Sequence, residues 1–309
     1  MRAKSNISRF VPFLAFILIL IVFSILTQGK LIVPSNLSLI LEQSFVLIIL
    51  SIGVTFVMTL GCLDFSQGSL VAICTLAGVY AAKQSFLLAA VVMIGIGLLV
   101  GFLNGFMVAK LKMQSFIVTI CMMVILRGLT IYLMTSTGAV AAPLDFSKTF
   151  DNLWFKIMVL TIVLVVSIYL FNFAKLGKQC RAVGAGELAA IYAGVNASRV
   201  KIFSFCIAGI TCGLGAFLLM ARTGVAAPAT GQLLETDILT VLVLGGLPVT
   251  GGMNSKIWCG VIGALTLNVL SNGLVILGAN AAVLQLAKGL IFLVAVAAVR
   301  EKQGNLVIK

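Results

Sequence analysis

The chain has 309 residues, 61% of them apolar and only 9% charged, with a formal net charge of +13 and a mean hydropathy of +1.23. Soluble domains carry about 25% charged residues, so this composition excludes one and specifies a polytopic membrane protein. The bases sit in loops and termini between apolar runs, without the basic patch and interleaved aromatics of a nucleic-acid binder, so the charge reads as membrane topology.

In chain order, Arg2, Lys4 and Arg9 precede an apolar run over 11–27. No A-x-A cleavage site follows it, so it reads as an uncleaved first span. Further apolar runs lie near 39–60, 69–83, 86–109, 115–137, 154–174, 202–222, 237–250, 257–277 and 282–299, giving ten candidate spans. The third and eighth are short for a hydrocarbon core about 30 Å thick. The expected fold is a single all-α integral membrane domain: residues 1–174 hold spans one to six, 175–201 a cytoplasmic loop, and 202–309 spans seven to ten and a tail.

Charge asymmetry orients these spans. With both termini inside, fourteen of the 21 Lys and Arg residues, Lys110, Lys178 and Lys256 among them, fall on the cytoplasmic side. Five fall outside (Lys30, Lys83, Lys148, Lys156 and Arg222), and Arg127 and Lys288 lie within spans. Excess Lys and Arg mark cytoplasmic loops. The longest external connection, 138–153, carries Pro143, Asp145 and Asp151.

Glycine is the second organising feature. Gly97, Gly101 and Gly105 form two overlapping G-x-x-x-G steps in span four, and Gly209 and Gly213 another in span seven, a spacing that lets helices pack closely. The pairs Gly245-Gly246 and Gly251-Gly252 bracket Leu-Pro-Val-Thr and read as an interruption. Span two ends in Gly61-Cys62-Leu63-Asp64-Phe65-Ser66-Gln67-Gly68, and span seven in Ala226-Ala227-Pro228-Ala229-Thr230-Gly231-Gln232. Each break precedes a short span, as in the inverted repeats of transporters.

Few polar residues lie within the spans. Arg127 sits near the middle of span five, where a charge costs about 2.5–3.5 kcal/mol, so it should face the interior and find a partner. Lys288 and Glu42 read as snorkelling from the outer ends of their spans. Asn268 and Asn272 share one face of span nine and either bond between helices or line a path. Irregular backbone at membrane depth belongs where it lines a cavity or is buried in protein. The candidate translocation path is therefore Asp64, Ser66, Arg127, Pro228, Glu235, Asp237, Gly245, Gly246 and Asn272.

Catalytic motifs are missing: the chain shows no phosphate-binding loop, nucleophile elbow or histidine, and its seven cysteines form no C-x-x-C pair. Neither cofactor nor metal is expected. Only Glu42, Asp64, Glu235 and Asp237 come near an acidic relay, all at span ends, so energy should come from another subunit. The segment Lys175–Lys201 separates the apolar halves and holds five Lys and Arg residues. Within it Gly186–Ala193 has high helix propensity and Gly194-Val195-Asn196 is a natural stop. It reads as a plain loop or as a short helix open to a cytoplasmic partner.

Several stretches match one family in order. Leu63-Asp64-Phe65-Ser66-Gln67-Gly68-Ser69 is similar to G-I-D-L-S-V-G-S, Phe116-Ile117-Val118-Thr119 to F-I-x-T, and Leu126-Arg127-Gly128 to L-R-G. Glu235-Thr236-Asp237 with Val243-Leu244-Gly245-Gly246 and Gly251-Gly252 is similar to E-L-D…V-L-G-G…G-G. From about Ser35 to Val299 the chain resembles the permease subunit of ribose-type ABC sugar importers, in the broad group that includes branched-chain amino-acid permeases. The resemblance implies a coupling helix where Glu187, Ala189, Gly194 and Asn196 match G-N-E-A-A-x-x-x-G-I-N, with Gly186 and Ala190 in the same contact.

The resemblance also implies an ABC ATPase subunit, a periplasmic or lipid-anchored sugar-binding protein, a second permease subunit and a bacterial cytoplasmic membrane. Ala227, Leu233, Asn254 and Val275 depart from the ribose-type pattern, which carries Gln, Gly, Gly and Asn there. The function expected is inward passage of a monosaccharide or similar small neutral polar solute. A branched-chain amino-acid-type ABC permease and a stand-alone secondary carrier are the alternatives.

Overall fold

A computed structural model describes residues 2–299, and side chains from Val11 to Ala297. The bases assigned to the cytoplasmic termini, Arg2, Lys4, Arg9, Arg300, Lys302 and Lys309, therefore have side chains outside the described residues.

The helices are α1 (Arg2–Leu26), α2 (Pro34–Thr59), α3 (Gln67–Ala82), α4 (Phe86–Ala109), α5 (Ser115–Met134), α6 (Leu144–Phe150), α7 (Leu153–Ile168), α8 (Lys175–Ala185), α9 (Glu187–Tyr192), α10 (Ala197–Thr223), α11 (Leu234–Leu244), α12 (Trp258–Ile276) and α13 (Ala281–Val299). A π turn over Tyr169–Phe173 extends α7. Apolar chain in lipid must satisfy its own backbone, which helices do locally. Side-chain and glycine signals punctuate them: Asn152 caps α7, Asn196 caps α10, and Gly224 ends α10 at φ +66°.

Every apolar run of the sequence contains a helix, although the run at 237–250 is helical only to Leu244. Six are long and apolar enough to cross a membrane: α2, α4, α5, α7 with its π turn, α10 and α12. The apolar parts of α1, α3 and α13 are shorter, and α11, with 11 residues, is only about 16 Å long. Burial sorts inner from outer helices: 67% of the apolar window of α2 and 61% of that of α10 is buried, against 17% for α7.

The glycine steps do what their spacing predicts. A Cβ on Gly97 or Gly209 would overlap the other's carbonyl, and one on Gly213 would lie 2.6 Å from Met93 O, so α4 and α10 pack backbone to backbone. The same contacts recur in the two halves. α4 lies on α10 and α12 on α2; α3 pairs with α4 and α11 with α12; α3 meets α5 and α11 meets α13.

At one end, the connection after α5 holds two features the sequence reading treated as loop. β1 (Val140–Ala141) pairs antiparallel with β2 (Val225–Ala226), and Ala142 N donates to Gly224 O at 2.9 Å. α6 is anchored by Phe146, which is fully buried and stacks edgewise on Phe217 at 4.9 Å. Nearby, buried Lys156 pairs with Asp151 and lies 4.0 Å from Glu42. Glu42 thus faces a cation within the protein rather than snorkelling, because α7 packs beside it.

At the other end, 175–201 is more structured than expected. It forms α8 as well as α9. The face Gly177, Cys180 and Val183 is buried, and Arg181 lies 4.7 Å over the Phe171 ring while donating to Phe171 O. Burial pushes the Cys180 thiol up to about 11, so it packs as an inert neutral group beside Ser204.

Candidate translocation site

α2 stops at Leu60, the chain turns through Gly61 at φ +75°, and residues 62–66 run without helix into α3. α10 stops at Gly224, and the chain reaches α11 through Gly231 at φ +68° and Leu233 at φ +63°. The starts of the two short helices then meet. A Cβ on Gly231 would overlap Gly68 O, and a Cβ on Gly68 would overlap both Gly231 O and the Glu235 carboxylate. Only glycine permits this approach, which puts two helix N-termini, each partly positive, against one another.

Around the contact lies a buried polar network. The Asp64 carboxylate accepts from Ser66 N (3.0 Å), Ser66 Oγ (2.6 Å) and Gln67 Nε2 (2.7 Å). Ser66 Oγ in turn accepts from Asn104 Nδ2 of α4 at 3.0 Å. Asp64, Ser66, Gln67 and Asn104 are each at most 2% exposed. α5 holds both breaks: Ser115 and Thr119 bond the backbone of Leu63 at 3.2 and 3.3 Å. Arg127 donates to the carbonyls of Thr230 (2.8 Å), Gly231 (3.2 Å) and Pro228 (3.4 Å).

Of the nine path residues read from the sequence, the structure gathers five here: Asp64, Ser66, Arg127, Pro228 and Glu235. Asp237 turns away and binds Lys288 of α13 through both oxygens, so Lys288 is paired rather than snorkelling; α13 brings it within reach. Gly245 and Gly246 lie at the far end of α11, against Cys259 and Pro12. Asn268 bonds Ser44 of α2 at 2.9 Å, and Asn272 Oδ1, one turn on, has no partner among the described residues. Gln67 and Asn104 were missed, although Asn104 is the single non-glycine polar residue in the otherwise apolar α4.

The coupling candidates form a compact unit. Glu187 opens α9 and pairs with Lys201 at 2.7 Å; Gly194 closes it at φ +85°; Asn196 Oδ1 accepts from Arg199 N at the start of α10. Gly186 is half-buried and Ala189 exposed. Ala190 is 5% exposed and belongs to the chain's own core, whereas Leu188 and Tyr192 are 72% and 89% exposed.

Residues 36–299 match the family described as branched-chain amino acid transport system, permease component. The chain belongs to that family. Among curated proteins, the permease is 31% identical over 282 residues to the ribose import permease protein RbsC of Escherichia coli strain K12, covering 87% of each chain. It is 31% identical over 302 residues to the fructose import permease protein FrcC of Rhizobium meliloti, covering 93% of this chain and 84% of that one. With the xylose transport system permease protein XylH of E. coli K12 it shares 26% identity over 361 residues, covering 94% and 91%. No solved structure matches the permease significantly.

Proposed function

We propose that this permease is the membrane subunit of an ABC importer that moves a monosaccharide, or a similar small neutral polar solute, inward. The observation that carries the reading is the meeting of two interrupted helices at Gly68 and Gly231, with a polar network fixed around it. Discontinuous helices that start at a common point deep in the protein are how many transporters build a substrate route. The equivalent contacts of α2–α5 and α10–α13 support two inverted repeats and ten spans. Charge asymmetry supports cytoplasmic termini, with Lys110, Lys178 and Lys256 inside and Asp145 and Asp151 outside.

ATP hydrolysis belongs in this reading to a separate subunit seated on α8 and α9, where Leu188 and Tyr192 offer exposed apolar side chains one turn apart. A second permease subunit and a sugar-binding protein complete the assembly. The names of the relatives support a monosaccharide, and the family description favours a second reading, a branched-chain amino acid. Reconstitution with the ATPase and binding protein separates them by uptake of labelled D-ribose, D-fructose, D-xylose and L-leucine. ATP-dependent entry of one sugar is expected, entry of leucine alone selects the second reading, and uptake without the ATPase overturns both.

A further inference from the structure

Four buried oxygens at or beside the starts of α3 and α11 have no hydrogen-bond partner among the described residues: Gln67 Oε1, Ser69 Oγ, Asn104 Oδ1 of α4 and Glu235 Oε2. Their side chains are from 0% to 9% exposed. Buried polar atoms are normally satisfied, so four close together, Gln67 and Ser69 flanking Gly68, Glu235 against Gly68 and Asn104 bonded to Ser66, point to something that binds there.

The hydrogen bonds to Asp64 indicate what kind of group that is. The Gln67 amide turns its NH2 toward the Asp64 carboxylate, which leaves its carbonyl oxygen without a partner among the described residues. Ser66 spends its one proton on Asp64 and can then only accept, which turns the Asn104 NH2 toward it and frees the Asn104 oxygen. Two amides that could donate or accept are thereby fixed as acceptors. Glu235 Oε2 adds a third acceptor, and the Ser69 hydroxyl can either donate or accept. A ligand here must supply donors. A cation would also suit these oxygens, and a sodium requirement for uptake would reveal one; the hydroxyls of an uncharged polyol, which both donate and accept, suit the whole set.

We propose that Gln67, Ser69, Asn104 and Glu235 form a hydroxyl-recognising constriction, oriented by Asp64 as a positioning residue, that selects polyhydroxylated solutes during passage. It rests on the importer reading above and adds which residues discriminate. Ser69→Ala is the cleanest probe, because Ser69 Oγ has no hydrogen-bond partner among the described residues, so its loss breaks no hydrogen bond there; Asn104→Leu is the second.

The test uses the full assembly with its own binding protein in proteoliposomes. The sugar among D-ribose, D-fructose and D-xylose that enters is compared with its monodeoxy analogues. The binding protein is the same for wild type and variant, so its own preference cancels when their sugar-to-analogue ratios are compared. Both variants are expected to lower that ratio for at least one analogue by about fivefold to tenfold, the worth of one hydrogen bond. Ratios unchanged in both variants, whatever happens to the absolute rate, would overturn the proposal and leave the oxygens to structural water. Wild-type uptake that requires sodium, with the requirement lost in the variants, would overturn it in favour of a cation site. Entry of none of the three sugars with wild type would instead sink the monosaccharide reading, and this inference with it.

Discussion

Lys288 on α13 donates to both carboxylate oxygens of Asp237 on α11, at 3.0 and 2.8 Å. Both side chains are mostly buried, at 22% and 21% exposed, so removing one partner strands the other in an apolar setting. Asp237→Ala should cost about 2 kcal/mol, below the 3–5 kcal/mol typical of a fully buried pair. The double variant Asp237→Leu with Lys288→Leu should recover most of it. Thermal unfolding in detergent checks this, and a double variant no more stable than the single one would show that the pair does not tie α13 to α11.

Arg127 spans three carbonyls with a planar fork that a lysine ammonium cannot reproduce. Arg127→Met should reduce uptake by roughly 10-fold to 100-fold, the loss of hydrogen bonds from a charged donor at about 1.5–3 kcal/mol. Arg127→Lys should restore it only in part. Uptake normalised to the amount of protein in the membrane is the measurement; full activity in Arg127→Met would mean that the 228–231 segment holds its shape unaided.

On α9 the two faces should respond oppositely. Ala190 packs inward, so Ala190→Arg forces a charge into the chain's own core and should lower the yield of folded protein. Leu188→Arg changes an exposed position, where substitutions usually shift stability by no more than about 0.5 kcal/mol. It should leave yield intact while abolishing ATPase co-purification and uptake. Co-purification at the wild-type level from Leu188→Arg would remove α9 as the docking element.

Leu233 adopts a left-handed conformation, φ +63°, immediately before α11. Such a backbone costs a side-chain-bearing residue roughly 1–2 kcal/mol, and more when the side chain is β-branched. Leu233→Gly should be at least as stable as the parent and Leu233→Val clearly less so, both read from unfolding temperature. Equal temperatures for the two variants would place the strain elsewhere.

The helices themselves were legible, because a run of apolar residues in lipid has few structures open to it. Both breaks were legible too, from Gly61 and Gly68 in one and Pro228 and Gly231 in the other. What stayed hidden depended on partners far off in the chain. Nothing beside Lys288 in sequence announces Asp237, 51 residues away, and Asn104 reaches Ser66 across 38 residues. α8 was hidden for a different reason: the buried face of Gly177, Cys180 and Val183 is built from residues too small or ambiguous to make an apolar stripe.

The bond from Arg127 to Pro228, Thr230 and Gly231 crosses 101 to 104 residues of chain, and that separation is also an interval of time. At synthesis rates of about 5–20 residues per second, α5 emerges on the order of 5–20 s before the carbonyls that receive its guanidinium exist. Ser115 and Thr119 meet their partner at Leu63 at once, since that break is already made. Arg127 alone of these must wait, carrying through that interval the penalty of about 2.5–3.5 kcal/mol for a charge at a helix centre. The first half of the permease is thus an unfinished intermediate in the bilayer, and its maturation is timed by the arrival of ten residues between α10 and α11.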